Sequence, residues 1–187
     1  MSNETTEKTT RAKTAKASAE DSGSETATKQ STEPKQSIKA KDVDIHQYIT
    51  VRNGFQGKLI YISKHTGEKF EWDGFGSEQE MELNELKHAK NSNKQFFTNN
   101  WFMFDDPWVI EYLGVRQYYK NTVPIDDFDD IFQKDPKELA KLLKNVPDGQ
   151  KRSIAYRARQ LIEEDAIDSL NTVKILEKEL GVDLIEH

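Results

Sequence analysis

Four aspartates fall within five positions at Asp126, Asp127, Asp129 and Asp130, a density that invites a cation. The spacing lacks the glycine turn and the distal glutamate of a calcium loop. Carboxylates at the start of a helix are accounted for by its dipole, so a solvated acidic face is expected here and no metal. The four histidines, His46, His65, His88 and His187, are scattered along the chain, and none has a partner at metal-ligand spacing. Lys151, Arg152, Arg157 and Arg159 crowd one stretch, the face a DNA-recognition helix would need. The same residues serve equally as solvated cations among acids such as Glu163 and Glu164. No phosphate loop, nucleophile elbow or dinucleotide fingerprint occurs. Gly74-Phe75-Gly76 is a two-glycine turn, and no cofactor is expected. With no cysteine in the chain, thiol catalysis, disulfides and Cys-ligated zinc are excluded. These residues point to a non-enzymatic protein.

Positioning such groups requires a folded body, and only part of the chain has the composition for one. No aromatic residue precedes Tyr48. Residues 1–43 hold 14 Ser or Thr, with eight Lys or Arg interspersed among seven Asp or Glu. So little apolar surface cannot offset the entropy of ordering, and a disordered tail is expected. It has neither the apolar core of a secretory signal nor the arginine-rich, acid-poor make-up of a transit peptide. If this tether docks, Ile38 to Val43 is the expected anchor. The rest of the chain carries 19 cations against 26 anions, a charge of −7, which disfavours general attraction to phosphate. No apolar run is long enough for a transmembrane helix.

From Tyr48 to Leu83 the apolar residues alternate with a period of two. Strands are predicted at Tyr48–Val51, Lys58–Ile62, Lys69–Trp72 and Glu78–Leu83, with Lys58–Ile62, apolar on both faces, as a central strand. Asn53-Gly54, His65-Thr66-Gly67 and Asp73 to Gly76 supply turns tolerant of positive φ. A helical stretch follows from Asn84, then a fifth strand at 101–104 closing a small antiparallel sheet or barrel. Asp106-Pro107 marks a helix start. The aromatic run Phe96, Phe97, Trp101, Trp108, Tyr112, Tyr118 and Tyr119 is either core or a partner-binding surface.

After Pro124 the period becomes 3.6. Ile125, Phe128, Ile131 and Phe132 stripe a short helix. Asp135-Pro136-Lys137-Glu138 reads as a capping box. Leu139, Leu142, Leu143 and Val146 form the apolar face that follows it. Pro147-Asp148-Gly149 breaks the chain before a helix over Gln150–Glu164. Asp168-Ser169 caps a third helix, on which Leu170, Val173, Leu176 and Leu180 align, and Gly181 ends it. The expected class is α+β: a disordered tail (1–43), a β-rich domain of about five strands with one or two helices (44–122) and a helical bundle (123–187).

Two stretches carry a family likeness. One runs from Val51-Arg-Asn-Gly-Phe-Gln-Gly through Tyr61-Ile-Ser-Lys-His-Thr-Gly-Glu68 and Trp72-Asp-Gly-Phe-Gly76 to Phe96-Phe97 and Trp101. The other runs from Gln150-Lys-Arg-Ser-Ile-Ala-Tyr-Arg-Ala-Arg-Gln-Leu-Ile162 to Asp168-Ser169. Over most of residues 45–187 the chain resembles small structural or assembly proteins of tailed bacteriophages of Gram-positive hosts. The resemblance implies a capsid-, neck- or tail-associated virion subunit, assembled in the host cytoplasm. Its implied partners are other virion proteins or further copies of itself, without nucleic acid or membrane. The alternative is a cytoplasmic nucleic-acid-binding regulator acting through residues 147–180.

Overall fold

Strand β1 (Tyr48–Asn53) organises the first half of the molecule. It pairs antiparallel with β4 (Glu78–Glu82) on one side and with the short β5 (Phe102–Met103) on the other. In this computed structural model, residues 43–185 are described. They lie within one compact unit, Ser37–His187. The expected tail falls outside the described residues except for Val43, which packs against the first core; His187 also falls outside. The class is α+β, with five strands, seven α-helices and a 3-10 turn among the described residues.

The four predicted strands form, with ends within two residues of those expected. Their pairing differs from the expected meander or barrel. β2 (Leu59–Ile62) and β3 (Lys69–Trp72) make a separate two-stranded sheet, and neither sheet closes. The chain cannot turn straight back from β1 because Asn53 redirects it. Its buried amide donates to Gly57 O and Gly74 O (both 2.8 Å) and accepts from Phe55 N–H. Gly54 has ordinary φ; what demands glycine there is space, since a Cβ would strike the Asn100 carbonyl and the Met103 side chain. The predicted central strand is thus an edge strand, with Ile60 and Ile62 44% and 56% exposed.

The odd-numbered side of β2 and the even-numbered side of β3 face inward. Tyr61 and Trp72 are fully buried among Phe70, Phe96 and Phe102. The Trp72 indole donates to Val51 O (2.8 Å) and ties the two sheets. Helix α1 (Leu83–Ser92), α2 (Gln95–Thr98), α3 (Pro107–Leu113) and α4 (Arg116–Tyr119) complete this half. Asp106 and Pro107 stand at the predicted start of α3, although the Asp106 side chain makes no cap bond.

Pro124 to Phe128 form no helix. The stripe is carried instead by a turn and a 3-10 turn at Asp129–Gln133, with Phe128, Ile131 and Phe132 buried. Helices α5 (Pro136–Asn145), α6 (Asp148–Glu163) and α7 (Leu170–Leu180) share a second core around Leu139, Leu143, Ile154 and Leu176. Asp135 caps α5 by accepting from Lys137 N–H (3.0 Å), and Ser169 caps α7. Gly181 ends α7 in the left-handed region at φ 69°. Leu184 folds back into this core, but Leu170 is 69% exposed at the first turn of α7. Gly149 lies inside α6 and does not break the chain. A Cβ there would collide with the backbone of Thr98 and Asn99, so the bare glycine lets the helix start press onto the first half. Two further contacts of α6 fix that docking. Gln150 bonds both the N–H and the C=O of Val123 (2.7 Å each), and Ser153 Oγ donates to Gly54 O (2.7 Å).

Candidate interaction surface

The aromatic run resolves into an inner and an outer set. Phe96 and Phe97, on α2, are buried, with the ring of Phe96 4.8 Å from that of Phe102. Tyr119 is buried on α4 and donates to Phe102 O (2.7 Å); burial holds its hydroxyl pKa well above the ordinary value. These three are core and offer nothing to a partner. Trp101, Trp108, Tyr112 and Tyr118 are only half-buried against the same core. Trp101 meets Phe55 edge-on (6.0 Å), Trp108 meets Tyr112 (6.4 Å), and the ammonium of Lys94 lies 5.6 Å from the Tyr118 ring centre. Lys94 also lowers the Tyr118 pKa. Half-exposed Trp and Tyr on a rigid backing suit protein contacts, because they bury large area at small entropic cost.

Two of the aspartates singled out by spacing are paired, one of them with a singled-out arginine. A cleft of about 550 Å³ between the two halves is lined by Arg52, Gln56, Phe75, Ile125, Phe128 and Arg157, with Asp126 and Asp129. Arg52, on β1, grips Asp126 through two bonds (2.7 and 3.0 Å) and reaches Asp105 (3.4 Å). Arg157, on α6, grips Asp129 (2.6 and 2.9 Å). Each pairing raises the guanidinium pKa, and Arg52 lowers that of Asp126. The cleft's charges are therefore matched internally, and an ionic ligand would have to displace one partner from its pair. Arg52 escaped the sequence reading, since a lone arginine in a strand gives no hint of an acid 74 positions away.

The other proposed nucleic-acid contacts are mostly engaged. Lys151 binds Asp148 (3.0 Å), and Arg159 donates to Asp183 O (2.8 Å). Arg152 is exposed and makes no hydrogen bond or ion pair among the described residues. The rings of His65 and His88 stack in parallel 4.2 Å apart, and His46 meets Glu82 (3.4 Å). Among the described residues no three acids or histidines converge as a metal would require, and no helix is long and apolar enough to cross a membrane. Tyr61 donates a buried hydrogen bond to Glu85 (2.6 Å), and burial with that carboxylate pushes its hydroxyl pKa up. No family model, curated protein or solved structure matches the chain.

Proposed function

We propose that this protein is a non-enzymatic structural or assembly subunit of a phage virion, capsid-, neck- or tail-associated, that works through protein–protein contacts. The observation that carries the reading is the outer aromatic set. Trp101, Trp108, Tyr112 and Tyr118 stay half-exposed while Phe97 and Phe102, in the core they pack against, are sealed. Large amphipathic rings on an immobile base are the usual anchors of a binding surface. The likeness of residues 45–187 to phage assembly proteins supplies the kind of particle. On this reading α5–α7, taken as a small helical bundle, brace the aromatic half, and the partners are other virion proteins or a second copy. A nucleic-acid-binding role for residues 147–180 draws less support, because Lys151, Arg157 and Arg159 are already held by Asp148, Asp129 and Asp183.

The test is mass spectrometry of purified particles of the encoding phage, followed by the same particles carrying Trp108→Ala. The chain should be present at fixed stoichiometry in the first and depleted in the second. Its absence from intact particles would overturn the proposal.

A further inference from the structure

Among the described residues the β2–β3 sheet has one open side, and the register shows which atoms line it. Ser63 N–H donates to Glu68 O (2.8 Å), so positions 63 and 68 form a hydrogen-bonded pair. Bonded and non-bonded pairs alternate along an antiparallel ladder. Tyr61–Phe70 and Leu59–Trp72 are therefore the bonded pairs, while Ile60 faces Glu71 and Ile62 faces Lys69 without bonds. The N–H and C=O of Ile60 and of Ile62 thus point away from β3, and they have no partner among the described residues. The opposite edge of this sheet is occupied: the Gln79 side chain, from β4, donates to Glu71 O (2.8 Å).

The face beside the open edge has a definite chemistry. Ile60 and Ile62 project from it, 44% and 56% exposed. Lys58 and Lys69 flank them and share a single acid, Glu71. Lys64, just past the strand, is exposed as well; its ammonium donates to Ser92 O (3.1 Å) and keeps two further donors. This is a cationic edge on a body of charge −7. Lysines at a strand edge oppose pairing between copies. Aligning Ile60 of one copy with Ile62 of another would set Lys58 against Lys64 twice, and like charges directly opposite destabilise a ladder. The same lysines favour a strand that brings carboxylates.

We propose that the outer edge of β2 docks an extended partner segment by strand addition, the segment carrying two apolar residues at alternate positions and an Asp or Glu at the next alternate position on each side. Its backbone completes the bonds of Ile60 and Ile62, its apolar side chains cover those isoleucines, and its carboxylates meet Lys58 and Lys64. Strand addition of this kind draws affinity from main-chain bonds and specificity from alternate side chains. The site goes beyond the aromatic surface and does not depend on it.

The test uses the full chain and two fluorescein-labelled peptides, Glu-Thr-Val-Thr-Val-Thr-Glu and its counterpart with Lys at both ends, read by fluorescence polarisation. The acidic peptide should bind, and the basic one at least about tenfold more weakly. Ile60→Pro removes an outward N–H that the β2–β3 ladder does not use, and it should abolish binding, whereas Ile60→Thr keeps the donor and retains it. If circular dichroism shows that the proline variant does not fold, Ile62→Lys, at an exposed side chain, takes its place and should weaken binding about tenfold. Trp108→Ala should leave peptide binding unchanged, so failure here is separable from failure of the aromatic surface. The proposal is overturned by no binding of the acidic peptide up to about 1 mM or by equal binding of both peptides. It is also overturned by indifference to Ile60→Pro or to Ile62→Lys, or by an Ile60-dependent dimer in sedimentation.

Discussion

β1 and β2 are both short, apolar, β-branched strands, yet they occupy opposite situations. β1 is paired on both sides; β2 is paired on one. Along β1 the bond from Asn53 N–H to Ser77 O sets the alternation, so Ile49 and Val51 bond toward β4 while Arg52 bonds toward β5. Along β2 only Leu59 and Tyr61 have ladder partners. Apolar content therefore does not decide which strand lies inside a sheet. The deciding factors are long-range: β4 and β5 return to β1, and among the described residues nothing returns to the outer side of β2.

The difference can be broken at its strong end first. Val51→Pro deletes a ladder bond inside the three-stranded sheet at a fully buried position and should cost about 3 kcal/mol or more. In denaturant titration it should leave little folded protein, whereas Ile60→Pro should stay folded. Gly54→Ala comes next. Its methyl meets the Asn100 carbonyl behind β1, and overpacking of this kind costs about 1–3 kcal/mol, read as a lower denaturation midpoint with an unchanged slope. Tyr61→Phe, on the buried side of β2, leaves the Glu85 carboxylate without its donor and should cost a comparable or smaller amount, about 1–3 kcal/mol. The same truncation logic on the exposed side, Ile62→Thr, should stay within about 0.5 kcal/mol, separating the two faces of one strand.

The smallest effect concerns the charge that β1 carries. Arg52 holds the Asp126 pKa below its ordinary 3.8. A lowered folded-state pKa means that the ionised pair contributes above the unfolded value and that the contribution is lost as pH falls through the lowered one. Asp126→Asn should therefore lower stability slightly at neutral pH, where the pair is intact, and match the parent at the acid end, which flattens the acid limb of a stability–pH curve in thermal melts below about pH 4. Solvent screens the exposed pair.

Much of the local structure was legible because it is written in local terms. Alternation placed β1 to β4, Asp135 and Ser169 marked helix starts, and Gly181 marked an end through its left-handed φ. Pairing was not legible, since the choice between a meander and β4-β1-β5 depends on Asn53 reaching Gly57 and Gly74. Gly149 and Leu170 misled for related reasons. One is a glycine kept for space inside a helix, and the other is an apolar residue at a helix position that no described residue covers. The aromatic run was legible as a group, but its division into sealed and half-exposed rings depends on which side of α2, α3 and α4 each residue occupies. The acidic quartet is exposed, as a solvated face should be, and two of its members also hold arginines from β1 and α6.

The docking of α6 has a consequence for how the chain comes apart. Ser153 reaches back 99 positions to Gly54, and Gln150 holds both the N–H and the C=O of Val123. A protease nick between Asp126 and Asp127 would sever the covalent path between the β-rich half and α6 but would leave the Gly149 and Ser153 contacts in place. The two fragments should then travel as one particle through a sizing column and separate only in denaturant. Mechanically, the halves are riveted as well as threaded, and cutting the thread leaves the rivet.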